Sequence, residues 1–276
     1  MKVLQNIKTW FFKSPKEELT CPITRITDIE NNVNQIEFNR PSNWKYIEPI
    51  VPAIAALPQW YKDKKPEVTG SMPYERHTGT IKACPAMFDS MVQGYIMPLW
   101  TDLYVQPSDE TPPVPQFWWG DGIKAPMSPY LLKRFDVEMT EGMPTADKTN
   151  LPAFKIDSPW VLTTPKGYST LFISPFNNAD SLFEPFSGVI HTDIFSTYIK
   201  VLTLWKGPED FKGIIKAGTP LVQMIPFKRE SFQHNLGIIT PEEDDEEQAC
   251  FNAVSKLGFT SLYRKLFSPF NRSYYK

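Results

Sequence analysis

Gly188-Val189-Ile190-His191-Thr192-Asp193, Tyr198-Ile199-Lys200-Val201-Leu202-Thr203-Leu204-Trp205 and Gly218-Thr219-Pro220-Leu221-Val222-Gln223-Met224-Ile225-Pro226 are the three pieces of one stretch on which the fold turns. Apolar residues alternate from Ile199 to Leu204 and again from Leu221 to Ile225. A pleated strand points successive side chains to opposite faces, so this alternation predicts two strands. The polar segment Lys206 to Lys212, with Gly207 and Pro208, predicts the linker between them.

Working outward, the composition favours the same architecture. The chain has 276 residues, 41% of them hydrophobic and 22% charged, enough to bury roughly three quarters of its unfolded surface. Its 27 prolines disfavour long helices and favour short strands joined by rigid loops. The expected fold class is therefore mainly β with a few short helices. A net charge of −2 removes the electrostatic basis for general nucleic-acid binding. No run is long and apolar enough for a membrane span. Three widely spaced cysteines, Cys21, Cys84 and Cys250, fit free thiols in a reducing compartment better than a disulfide framework.

Before the central stretch, residues 1–22 read as an arm, with Trp10, Phe11 and Phe12 set among Lys2, Lys8, Lys13 and Lys16. It packs on its own domain, docks on a partner, or lies on a membrane surface. Val33 to Phe38 predicts a strand, and Val51 to Lys62 a helix cut short by Pro58. A strand, a short helix and a second strand over Tyr95 to Val105 follow. Cys84, beside Pro85, reads as a buried structural thiol; as a nucleophile it would need a nearby histidine, and the chain has three. Residues 106–129 form a proline-rich loop carrying Phe117, Trp118 and Trp119, a candidate platform for a neighbour. A hairpin is expected from Trp160 to Ile173 across Pro165-Lys166-Gly167-Tyr168.

After it, His234 to Ile239 is a short strand or coil. The acidic run Glu242 to Glu247 opens a helix, where negative charge favours the positive end of the helix dipole. The tail is basic and aromatic, with Tyr274 and Tyr275 near its end. The expected domains are an arm over 1–22, a single β-rich domain over 23–240 with the loop at 106–129, and a C-terminal helix and tail over 241–276.

The Gly188 to Asp193 element, the strand after it and Ile215 to Pro226 resemble the third motif and following strand of the trimeric dUTPase and dCTP deaminase superfamily, and Pro165-Lys166-Gly167 resembles the Pro-x-Gly that precedes them there. The resemblance covers about a quarter of the chain. It implies a β-clip or jelly-roll-like, dUTPase-like body. In that superfamily an aspartate in Gly-Val-Ile-Asp activates water and a tyrosine three residues on stacks on the sugar; here those positions hold His191 and Ile194. A histidine can still serve as a general base, but the sugar platform is gone. Residues 80–230 also resemble an uncharacterised family of tailed-phage and bacterial proteins, which share the Cys84-Pro85, Gly94-Tyr95 and Gly188 to Asp193 elements in this order.

His191-Thr192-Asp193 also has the His-x-Asp form of 2-oxoglutarate-dependent iron oxygenases, for which His234 would be the third ligand. Against this, no arginine or lysine lies between Leu236 and Glu247 to hold the 2-oxoglutarate carboxylate. The leading expectation is a non-catalytic phage-encoded interaction or assembly protein, a candidate virion component of the host cytoplasm that needs no cofactor and forms homo-oligomers or binds other assembly proteins. Its contact residues would be Trp10, Phe11, Phe12, Phe117, Trp118, Trp119, Tyr274 and Tyr275. The alternative is a diverged nucleotide hydrolase or an iron oxygenase, using His191 and Asp193 as catalytic residues.

Overall fold

The computed structural model describes residues 35–68, 78–111, 113–119, 132–135, 139–143, 153–179 and 181–256. In chain order, the first half contains β1 (Glu37–Asn39), β2 (Val51–Pro52), α1 (Gln59–Asp63), β3 (Glu67–Val68), β4 (Thr78–Gly79), α2 (Pro85–Val92), β5 (Tyr95–Pro98), β6 (Leu103–Pro107), β7 (Pro115–Trp119) and β8 (Leu132–Arg134). The second half contains β9 (Phe154–Thr163), β10 (Tyr168–Ile173), β11 (Phe183–Pro185), β12 (Gly188–Ile190), β13 (Tyr198–Trp205), β14 (Gly213–Ile215), β15 (Pro220–Lys228) and α3 (Pro241–Lys256). The chain is mainly β, and every strand pair is antiparallel.

Three sheets share one core. The first runs β1-β9-β13-β11, with β8 beside β1 along the same edge of β9; the second runs β12-β10-β15-β5-β2; the third runs β14-β6-β7. Ile156 and Leu162 of β9, Val201 and Trp205 of β13, Phe172 of β10, Met224 of β15 and Leu103 of β6 all belong to the same buried cluster. Trp205 meets Phe117, Phe183 and Phe211 edge to face at 5.4–5.5 Å, and Trp100 stacks on Trp119 at 4.7 Å. Such pairs add attraction beyond burial alone, because positive ring edges meet negative ring faces.

Several sequence expectations are corrected. The strands on either side of Pro165-Lys166-Gly167-Tyr168 do not pair as a hairpin. β9 already has β13 on one edge and β1 with β8 on the other, and β10 lies between β12 and β15, so the turn hands the chain from one sheet to the next. Tyr95 to Val105 is two strands: Leu99 and Asp102 leave the ladder to bind the 216–219 turn, through Leu99 N to Thr219 O, Gly218 N to Leu99 O and Ala217 N to the Asp102 carboxylate. The aromatic loop is interrupted by β7, which pairs with β6 from Leu103↔Trp119 to Pro107↔Pro115. Val51 to Lys62 is a two-residue strand, a 3-10 turn (Ala53–Ala56) and α1, since Pro52 and Pro58 break the helix twice. β13, β15 and the helix opening on the acidic run stand as read. Residues 1–22, with Cys21, Trp10, Phe11 and Phe12, and the tail with Tyr274 and Tyr275 lie outside the described residues.

Candidate functional site

The Gly-Val-Ile-His-Thr-Asp element ends in a turn where the second sheet meets the C-terminal part of the chain. Ile190 pairs with Thr170 across the β12–β10 ladder, which places His191 opposite Ser169. Beyond it the backbone closes on itself, with Ile194 N and Phe195 N donating to His191 O at 3.0 and 2.8 Å. Thr192, only 2% exposed, anchors the turn from beneath. Its hydroxyl meets those of Thr164 at 2.7 Å and Thr170 at 2.9 Å, a closed set that leaves no buried hydroxyl of the three without a partner.

Asp193 is held at the centre of a clasp. Its side chain is 4% exposed and accepts a forked pair of hydrogen bonds from Arg229, Nη1 to Oδ1 at 2.8 Å and Nη2 to Oδ2, with Gly167 N donating to Oδ2 at 2.8 Å. The guanidinium beside it holds the carboxyl below the usual carboxylate range, against the opposing effect of burial. Arg229 also donates to Tyr168 O at 2.6 Å and to Ser169 Oγ at 2.9 Å. Ser169 Oγ in turn lies 2.8 Å from His191 Nδ1.

This arrangement pairs a serine with a histidine but does not make a nucleophile. Ser169 is fully buried, so its oxygen is closed to a substrate from outside. Asp193 pairs with Arg229 rather than with the histidine. Both Asp193 oxygens accept hydrogen bonds from Arg229 or Gly167, and His234 is on an exposed segment. Among the described residues no cluster of three His, Cys, Asp or Glu side chains has the geometry of a metal centre.

The clasp also fixes the point where the chain leaves the body. Arg229 N donates to Gly167 O at 2.8 Å, and from residue 230 to 249 every residue is exposed. This arm carries Phe232 at 84%, Leu236 at 90%, Ile238 at 99% and Ile239 at 57% exposure, and His234 sits among them. α3 at its end starts with a capping box, Glu243 N donating to Thr240 Oγ1 and Thr240 N to the Glu243 carboxylate. Beside the root of the arm the outer face of the second sheet is partly exposed. Val189, Leu171 and Ile225 lie in register across β12, β10 and β15, and Phe227 lies on the same face two residues further along β15. Val189 and Phe227 are exposed, and so are Ile194 and Phe195 on the adjoining turn. The other end of this face is covered: Gln223 donates to Ser90 O and Gln93 O and accepts from Phe176 N, stitching α2 to the sheet.

Of the three loop aromatics expected to meet a partner, Phe117 and Trp119 turn toward the core, and Trp118 alone faces outward, in line with Tyr104 and Ile214 across β7, β6 and β14. Period-two alternation within β7 separates them, a signal concealed by the surrounding prolines. Cys84 is a half-buried free thiol. Sequence reasoning missed Arg229, Ser169 and Gly167 as partners of the Asp193 element. Arg229 lies 36 residues beyond Asp193, and no local pattern announces a contact made only by the meeting of strands. Among the described residues no helix is long and apolar enough to cross a membrane. No protein-family model matches the sequence, and no curated protein does.

Proposed function

We propose that this chain is a non-catalytic interaction and assembly protein of the phage-encoded type, with a dUTPase-like β body whose former catalytic element serves as a structural clasp. The observation that carries this reading is the arm: a twenty-residue run with every residue exposed, displaying four large apolar side chains, rooted at a fixed point of a packed body. Apolar side chains presented together and left in water favour burial against another surface. The sequence resemblance supports the same reading, because His191 replaces the water-activating aspartate and Ile194 the sugar-stacking tyrosine. Trp118, Tyr104 and Ile214 supply a second outward apolar row for neighbours.

Light scattering after size-exclusion chromatography, combined with affinity capture by the tagged full chain, tests the proposal. The expected outcome is a mass above one chain or a stoichiometric partner. A strictly monomeric chain that retains no partner overturns it.

A further inference from the structure

A cleft of about 490 Å³ opens between α1 and the loop from β10 to β11, lined by Trp60, Pro175, Asn177, Asn178 and Ala179. Its size is that of an ordinary small-molecule site. We propose that it binds a neutral saccharide, with one pyranose ring stacked on the Trp60 indole and the ring hydroxyls paired with the Asn177 and Asn178 carboxamides. None of these residues enters the assembly reading, so the two stand or fall separately.

Both walls are fixed before any ligand arrives. On one side, Trp60 is half-buried and meets the Tyr61 ring edge to face at 5.6 Å, and Tyr61 is itself buried, stacked on Phe88 at 6.2 Å with its hydroxyl donating to Lys82 O at 3.2 Å. On the other, Phe176 N donates to the carboxamide oxygen of Gln223, a residue 1% exposed that also holds α2 through Ser90 O and Gln93 O. The two walls are joined directly: Trp60 Nε1 donates to Asn177 O at 2.8 Å across 117 residues of sequence. Asn177 has φ +57°, a left-handed conformation that asparagine tolerates better than most residues. A site held in this way loses little freedom when it binds.

The chemistry of the lining selects the ligand class. Not one of the five residues is charged, so nothing in the lining would pair with a phosphate, a carboxylate or a cation. An apolar ligand would take water from two carboxamides and give them no partner in return. Among the described residues, the Asn178 side chain makes no hydrogen bond, and the Asn177 amide nitrogen meets only Met87 Sδ at 3.8 Å, a weak acceptor. Each carboxamide therefore offers a donor and an acceptor side by side, which suits hydroxyl groups that both donate and accept. The indole supplies the other half of the match, because its electron-rich face attracts the polarised C–H groups on one side of a sugar ring.

The test is saturation-transfer NMR on the full chain with cellotriose, chitotriose, maltotriose, mannotriose and lactose as probes, and adenosine and uridine as nucleobase probes. The expected result is that at least one saccharide binds with a dissociation constant of about 0.1 to 10 mM, the weak range of a shallow site, and that its saturation is strongest at the C–H protons of one ring face. Trp60→Ala should raise that constant at least tenfold and Asn178→Ala several-fold, while Trp118→Ala, which removes an exposed indole on the third sheet, should leave it within twofold. Circular dichroism checks that the variants fold; should Trp60→Ala fail, Asn178→Ala still decides, since its side chain has no bond among the described residues to lose. Binding by no saccharide overturns the proposal, and so does binding that Asn178→Ala leaves unchanged or that Trp118→Ala abolishes. If only the nucleosides bind, and Trp60→Ala removes that binding, the cleft is a nucleobase site and the saccharide assignment is overturned.

Discussion

Asp193 stays charged with 4% of its side chain exposed because three N–H groups, two from Arg229 and one from Gly167, replace the water it has lost. The contribution should be visible on replacement. Asp193→Ala removes the acceptors and leaves the guanidinium and the Gly167 N–H without them, which is expected to cost about 1–3 kcal/mol; the lower part of that range follows from Arg229 being about a third exposed and partly solvated by water. Asp193→Asn keeps one acceptor and should cost less. The pH dependence follows from the depressed folded-state pKa. The unfolded chain takes up the proton more readily, so the stability supplied by the carboxylate is complete above its unfolded pKa, near 3.9, and is lost as pH falls through the lower folded value. Urea unfolding of wild type and Asp193→Asn should therefore give a stability difference that is flat from neutral pH to about pH 5 and shrinks toward zero in stronger acid. Asp102, also depressed by its bond to Lys216, titrates in the same region in both proteins and cancels from the difference. A gap that widens on acidification would show that Asp193 is not the group being titrated.

At the scale of elements, the junction of α2 with the second sheet is the most tightly specified. Gly94 has φ +65°, and a Cβ there would fall 2.0 Å from Met224 O, a backbone atom of β15 that cannot move without breaking the ladder. Gly94→Ala combines left-handed strain with a backbone clash, for an expected loss of about 3–5 kcal/mol, or roughly 10 °C in Tm for a chain of this size. A Tm within about 2 °C of wild type would mean the junction can open at little cost. The same elements show what the sequence made legible. β13 and β15 announce themselves by alternation, and α3 by Pro241 at its start and the acidic first turn. What stayed hidden was pairing. Both flanks of Pro165-Lys166-Gly167-Tyr168 are strands, as read, but nothing local to them records that each already has two partners. His191 and Asp193 were legible as an unusual pair of residues; their engagement with Ser169 and Arg229 was not, because it arises only when β10 and β15 lie side by side.

At the scale of the molecule, one core shared by three sheets is joined to an arm that contributes nothing to it. Trp205 is where the first and third sheets meet, touching Phe117 of β7, Phe183 of β11 and Phe211 of the polar linker. Trp205→Ala should cost about 3–5 kcal/mol and shift the far-ultraviolet and tryptophan-fluorescence transitions together, since the three sheets share one buried cluster that includes Trp205; transitions that separate would indicate independently folding sheets. The arm should respond to a different variable. Its apolar residues have no contact within the chain that covers them, so their exposure to a protease depends on whether another copy is present rather than on the stability of the body. Chymotrypsin cleaves after large apolar residues, and Phe232 and Leu236 present such bonds at 84% and 90% exposure. At low protein concentration cleavage there should be rapid and should leave the Tm of the body unchanged. At concentrations at which another copy covers the arm, the same bonds should be protected in proportion to the associated population. A cleavage rate at these two bonds that is independent of protein concentration, with the protein shown to be oligomeric, would place the contacts between copies elsewhere, with the outward row of Trp118, Tyr104 and Ile214 the next surface to mutate.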